Sequence, residues 1–175
     1  MAEGLINFVR TVPDFPKKGI MFRDITTLLK EPGAFQQSVD LLTERYREAG
    51  VQKVVGVESR GFILGGPLAY RLHAGFVPVR KPGKLPAPTA RAEYALEYGT
   101  DAVEIHTDAI KRGERILIHD DLLATGGTIL ATCRLVEQLG GTIVGLAFLI
   151  ELTFLHGRSR LGDYEVFSLI TYESE

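Results

Sequence analysis

At 175 residues the chain has the length of one domain and can bury a sizeable core without staples. Its 45% hydrophobic and 24% charged residues are ordinary for a globular protein, and a formal net charge of −2 excludes a broadly basic binder of nucleic acid or membrane surface. The one cysteine, Cys133, excludes an internal disulfide and a cysteine metal cluster and fits a reducing compartment.

Along the chain, residues 1–30, with Pro13, Pro16 and Phe22-Arg23-Asp24, stand outside any regular alternation and read as an N-terminal extension. Met1 to Asn7 has no basic stretch leading into an apolar one, so no secretory leader is expected and a cytoplasmic location is. Over 34–49, Phe35, Val39, Leu42, Tyr46 and Ala49 recur at steps of three and four, which predicts an amphipathic helix stopped by Gly50. Residues 53–57 read as a short buried strand and 62–73 as a helix, in which Pro67 is tolerable only near the first turn. A second strand at 75–79 contains Pro78, which places it at an irregular or edge position.

Residues 81–106 follow, with Pro82, Pro86 and Pro88 and then the alternating run from Tyr94 to Tyr98. A connection of that length between core strands is more often a lid than an idle loop. Strand 115–119 leads to a helix over 128–139 that Gly140-Gly141 ends. The apolar run 143–150 is a fourth strand, too short to span a bilayer, and 166–170 a fifth. Strands alternating with helices predict βαβ units and a mainly parallel sheet covered on both faces, an α/β domain over 1–175. Ligands bind such sheets at the carboxyl ends of the strands, here just after Val57, Val79 and His119.

The stretch after the third strand carries the chemistry: His119-Asp120-Asp121-Leu122-Leu123-Ala124-Thr125-Gly126-Gly127-Thr128. An apolar strand delivers two acids, and a turn of small residues then opens a helix. Backbone N–H groups at such a turn, with the helix dipole behind them, cradle an anion. Thr125 and Thr128 add hydroxyl donors, and small side chains let a phosphate sit against the main chain. Asp120 and Asp121 are placed to accept from hydroxyls beside that phosphate or to hold Mg²⁺. With no Gly-Lys-Ser/Thr after the glycines, this is not a Walker A loop.

That stretch resembles the phosphoribosyl-pyrophosphate (PRPP) signature of the type I phosphoribosyltransferases, in the variant of the adenine-specific branch. Phe22-Arg23-Asp24-Ile25, Ser59-Arg60-Gly61-Phe62, the run from Arg80 to Pro86 and Leu96-Glu97-Tyr98-Gly99 match in order, so the likeness runs from about Asp14 to Tyr172. His119 departs from it, since the family usually carries an apolar residue before the acid pair.

The resemblance implies transfer of the phosphoribosyl group from PRPP to adenine, giving AMP and pyrophosphate. It implies PRPP contacts from Ser59, Arg60, Lys81, Lys84, Asp120, Asp121, Ala124, Thr125, Gly126, Gly127 and Thr128. Arg60, Lys81, Glu97 and Tyr98 are the implied catalytic residues, Glu97 for proton handling on the base. The extension over 1–30 becomes a hood in which Phe22 stacks on the purine and the main chain at Met21 and Arg23 reads its edge. The long flexible loop over 81–106 becomes the lid. Mg²⁺ is the implied cofactor, held mainly by PRPP oxygens and water, with Asp120 and Asp121 as candidate ligands. A homodimer is the implied assembly.

Two other readings are weaker. Relatives acting on 6-oxopurines use a lysine downstream of the PRPP loop, and this chain has none after Lys111. A PRPP-sensing regulator would need an added DNA-binding segment or a basic face. His73, His106 and His156 show no metal-ligand spacing. Cys133, on a helix face with Ile129 and Val136, reads as core.

Overall fold

A computed structural model describes residues 4–95 and 99–175. Five strands, β3 (Lys53–Val57), β4 (Gly75–Val79), β7 (Arg115–Leu123), β8 (Thr142–Leu152) and β9 (Val166–Tyr172), form one sheet in the order β4-β3-β7-β8-β9. Every neighbouring pair in it is parallel. β4 is an edge strand, as Pro78 requires of a residue with no N–H to donate.

Alternate residues of these strands face opposite layers. On one side Val54, Leu117 and Ala147 pack with Leu42, Tyr46 and Leu68 of α2 (Pro32–Tyr46) and α3 (Gly61–Arg71). On the other, Val55, Ile116, Ile118 and Phe148 pack with Ile129, Cys133 and Val136 of α4 (Gly127–Gln138), and Cys133 is fully buried. Burial pushes its thiol up to about 12, so it is an inert core group.

Helix α3 leaves β3 toward one face and α4 leaves β7 toward the other. The adjacent carboxyl ends of β3 and β7 are therefore the point where the connections diverge, and such a switch point opens a crevice for a ligand.

The remaining elements sit around that crevice. Residues 4–30 carry a short 3₁₀ turn, a two-stranded antiparallel ribbon of β1 (Arg10–Val12) and β2 (Phe22–Asp24), and α1 (Thr26–Leu29). Leu5, Ile25 and Leu28 anchor this segment against Leu64, Leu149 and Ile170.

Three expectations need correction. β7 does not stop at His119: it runs to Leu123, with Asp120, Leu122 and Leu123 still registered on β8, so the acid pair lies within a strand rather than beyond it. Apolar periodicity ends at the acids, but pairing continues because β8 is long enough to meet them. Residues 81–106 are not a plain loop, since β5 (Thr89–Ala95) and β6 (Thr100–His106) pair antiparallel and bury Ala90, Val103 and Ile105 beside α4. Pro67 lies past the first turn of α3, a helix held by burial of Leu64, Leu68 and Ala69.

Candidate active site

β3 and β7 are paired neighbours, and the absence of a side chain at Gly61 lets the start of α3 close onto the end of β7. A Cβ there would stand 2.8 Å from Oδ1 of Asp120 and 3.2 Å from its Cα. The first residue of α3 can thus lie directly on the acid pair. Val57, Glu58, Ser59, Arg60, Lys81, Asp120, Asp121, Leu122 and Thr128 line one cleft here, which joins all three strand ends singled out in the sequence. A larger open groove between α2 and α3 is a different case. Its charges pair with one another, Arg71 with Asp40 at 2.8 Å and Arg47 with Glu44 at 2.6 Å, and it holds no glycine turn.

Within the cleft the two acids differ in their partners. Oδ1 of Asp120 accepts the N–H of Asp121 at 2.9 Å. Oδ2 of Asp121 is buried and meets the Nε of Arg60 at 2.9 Å as an ion pair. Burial, and then the neighbouring carboxylate of Asp121, holds the Asp120 carboxyl well above the usual carboxylate range. Burial raises Asp121 too, against the opposing pull of Arg60. Two adjoining carboxylates served by one guanidinium leave negative charge for a further cation to neutralise.

The turn after β7 has the expected form. Gly126 takes a left-handed conformation (φ 80) as the cap of α4, and Thr125 is exposed in front of it. Ala124, Gly126 and Gly127 put no bulky side chain at the helix start, where N–H groups without intrahelical partners and the dipole favour an anion.

On the opposite wall, Glu58 fixes the start of the next segment. Its Oε2 accepts from Nε of Arg80 at 2.8 Å and from the N–H of Lys81 at 3.0 Å. The Glu58–Ser59 peptide is cis. Nζ of Lys81 donates to the Tyr94 hydroxyl at 2.7 Å and forms an ion pair with Asp101, both on the hairpin. Burial would lower the lysine, but the bonds to Asp101 and Tyr94 outweigh it and raise it. Lys81 in turn depresses Asp101. Lys84 donates its N–H to the carbonyl of Lys81 at 3.3 Å within the same bend.

The N-terminal ribbon reaches the cleft through Phe22. The Arg60 guanidinium lies 5.2 Å from the centre of that ring, and Phe15 meets it edge-on at 5.1 Å. Met21 is partly exposed beside it. The Arg23 side chain is engaged within the fold, over Tyr172 at 3.9 Å and onto the Thr11 hydroxyl.

Glu97 and Tyr98 lie outside the described residues. Among the described residues no three His, Cys, Asp or Glu side chains gather as a metal site, and no helix is long and apolar enough to cross a membrane. His73 and His156 occupy left-handed turn positions (φ 55 and 53), and the His106 ring accepts the Ala87 N–H. His119 is fully buried, with Nδ1 3.0 Å from the Ala147 carbonyl; burial lowers it to about 4, so it is a neutral core group behind the acids. Sequence reasoning missed Glu58 as an anchor for Arg80 and Lys81, and missed Tyr94 and Asp101 as partners of Lys81. Only the alternating pattern around Tyr94 hinted at them.

Residues 24–174 match the family model described as a phosphoribosyl transferase domain. The chain is 61% identical over 170 residues to an adenine phosphoribosyltransferase of Acidobacterium capsulatum (97% of this chain, 94% of that one). It is likewise 61% identical to that of Geobacter metallireducens (97% and 99%). The crystal structure of adenine phosphoribosyltransferase from Thermoanaerobacter pseudethanolicus superposes with a TM-score of 0.95 at 53% identity, covering 98% of this chain and all of the other. The Saccharomyces cerevisiae enzyme, crystallised with an imino-altritol bisphosphate and adenine, gives a TM-score of 0.92 at 43% identity, covering 96% of this chain and 97% of that one.

Proposed function

The chain belongs to the phosphoribosyl transferase family, among its adenine phosphoribosyltransferases, and from that premise we propose that the cleft between β3 and β7 is where it works. The reaction transfers the 5-phosphoribosyl group of PRPP to adenine and yields AMP and pyrophosphate, a purine-salvage step. The observation that carries the site assignment is the meeting, at one switch point, of the glycine turn, the acid pair and Arg60.

In this reading the turn from Ala124 through Thr125, Gly126 and Gly127 to Thr128 holds the 5′-phosphate, and Asp120 and Asp121 accept from the ribose hydroxyls. Ser59, Arg60, Lys81 and Lys84 face the pyrophosphate. Phe22 stacks on adenine, whose edge is read by the main chain at Met21 and Arg23. An aromatic plane accepts any base, and main-chain groups supply the selectivity.

Adenine N9 forms a bond to ribose C1 as the C1–oxygen bond to pyrophosphate breaks, through an oxocarbenium-like centre. Three tasks fall to the protein. It holds both reactants in line, which converts a bimolecular encounter into a near-unimolecular step. It meets the charge growing on the leaving group with Arg60 and Lys81. And it keeps water away from the activated carbon, for which the hairpin within 81–106 is the lid and residues 1–30 the hood. Glu97 handles the proton of the base, and Tyr98 closes over the substrates with it.

The donor set fits Mg²⁺: a half-buried Asp120 adjoins a buried Asp121 whose carboxylate pairs with a single guanidinium, and no denser cage surrounds them among the described residues. Asp120 and Asp121 would hold such an ion together with substrate oxygens and water, and when bound it supplies charge neutralisation for the departing pyrophosphate. A cytoplasmic homodimer completes the proposal. The buried lone thiol supports the compartment, and exposed Ile63, Tyr70 and Phe76 on α3 and β4 support a second copy.

The test is pyrophosphate release on mixing the protein with PRPP, Mg²⁺ and each of adenine, hypoxanthine, guanine and xanthine. Adenine alone should support rapid release. No release with any base would end the proposal.

A further inference from the structure

Behind the phosphate turn the main chain packs on itself at unusually close range. A Cβ on Gly157 would stand 2.0 Å from the Ala124 carbonyl oxygen and 3.1 Å from the N of Gly126. A Cβ on Gly126 would stand 2.8 Å from the Gly157 carbonyl oxygen. Backbone therefore lies on backbone, and Gly157 forms a floor under residues 124–126.

What holds that floor is an ion pair between a buried carboxylate and a half-exposed guanidinium. Glu151, 3% exposed, is registered on β8 opposite Leu123, the residue that leads into the turn. Its carboxylate accepts Nε and Nη2 of Arg158 at 3.0 and 2.5 Å, and the Ser168 hydroxyl from β9 at 2.7 Å. Nη1 of Arg158 donates to the Val166 carbonyl at 2.9 Å. The residue following Gly157 is thus tied to two strands of the sheet. Two bonds from one guanidinium to one carboxylate fix direction as well as distance.

We propose that Glu151 is a positioning residue for the phosphate turn, acting through Arg158 to press Gly157 against Ala124 and Gly126. The inference rests on the assignment of that turn to the 5′-phosphate of the sugar. Without the floor the turn can sag, and its N–H groups no longer converge on one anion. Arg60 and Lys81, on other strand ends, are untouched by this.

The two halves of the donor separate the effects. Ribose 5-phosphate and inorganic pyrophosphate, each with Mg²⁺, are titrated calorimetrically into the full chain and into Gly157→Ala, Glu151→Gln and Ser168→Ala, with thermal unfolding as a check on folding. In Gly157→Ala and Glu151→Gln, ribose 5-phosphate affinity should fall roughly ten- to a hundredfold while pyrophosphate stays within about twofold. Ser168→Ala, the mildest change, should lose about threefold for the sugar phosphate only. Unchanged sugar-phosphate affinity in a folded variant, or equal loss of both ligands, overturns the role of Glu151. A wild-type chain that takes up pyrophosphate but not ribose 5-phosphate overturns instead the assignment of the turn, and with it this inference.

Discussion

Arg60 and Asp121 form an ion pair at 2.9 Å in which only one partner is free to leave: the carboxylate is 6% exposed and the guanidinium 38%. The arginine proposed for pyrophosphate is thus the partner of an acid proposed for the sugar. A donor bound as proposed would set its anionic oxygens against Asp121 for the guanidinium, and its hydroxyls or an accompanying cation would relieve the carboxylate. The same guanidinium also lies over Phe22, so its displacement uncovers the surface on which the base is proposed to stack.

Replacing Arg60 by Gln should therefore damage turnover far more than folding. The charge it offers the leaving group is of the kind whose removal costs roughly 10²–10³-fold in kcat. Folding should suffer less: the Asp121 carboxylate loses its partner, so Tm should drop by several degrees, but the chain should stay folded at the assay temperature. Initial rates and thermal melts on the same preparation give both numbers. A comparable collapse of both would mean that Arg60 holds the fold rather than the reaction.

The acid pair carries a pH signature with a definite sign. Burial and Asp121 raise the folded-state pKa of Asp120 above its unfolded value. Below the unfolded value both states are protonated and nothing is lost. As pH rises through the folded value the charge must be buried, and that penalty persists at neutral pH. Asp120→Asn keeps the acceptor for the Asp121 N–H and removes the charge, so without ligands it should be more stable at pH 7 by about 1 kcal/mol, roughly 2–4 °C in Tm. The gain should vanish near pH 4, and activity should fall sharply. A variant less stable than wild type at pH 7 would contradict the assignment of strain to this pair.

Lys81 meets a competitor for pyrophosphate within its own chain. Its ion pair with Asp101 and its bond to Tyr94 tether the proposed leaving-group cation to the hairpin. The pair is more than a third exposed on the lysine side, so its worth is modest, about 0.2–1 kcal/mol. Asp101→Asn should tighten pyrophosphate binding by roughly that margin, about 1.5- to 5-fold, whereas Lys81→Ala should weaken it. Product inhibition by pyrophosphate measures both. Weaker inhibition of the Asp101→Asn enzyme would show that Asp101 presents the lysine rather than withholding it.

The sheet and its helices are legible in sequence because their signals are local. Apolar runs bounded by turn residues mark β3, β7, β8 and β9, Pro78 marks the edge, and Gly140 (φ 87) supplies the turn that ends α4. The phosphate turn is legible for the same reason, as small residues after an apolar strand. What escapes are relations between distant positions. Lys81 and Asp101 are twenty residues apart and meet only because β5 and β6 pair in one register. Gly157 carries no signal within Leu155-His156-Gly157-Arg158, and only the folded chain sets it on Ala124. The continuation of β7 through two acids runs against hydrophobic patterning, because pairing with β8 overrides it. The polar end of a core strand is where a functional site departs from the rules of the fold.

Phe22 offers the sharpest separation between a structural and a functional role. It sits in a three-residue strand of the N-terminal ribbon, is only half-buried, and has Phe15 on its edge and a movable guanidinium nearby. The ribbon has anchors of its own: the Arg10–Asp24 ion pair joins its strands, and Leu5, Ile25 and Leu28 bury the segment. Stacking of a base on an aromatic ring is worth roughly 1–3 kcal/mol. Phe22→Leu keeps apolar contact but loses the plane, so the KM for adenine should rise about tenfold while the KM for PRPP changes less than about twofold. Tm should move little. Were Phe22 only an anchor for the ribbon, both KM values would rise together and Tm would drop, and initial rates at varied concentrations of each substrate distinguish the two outcomes.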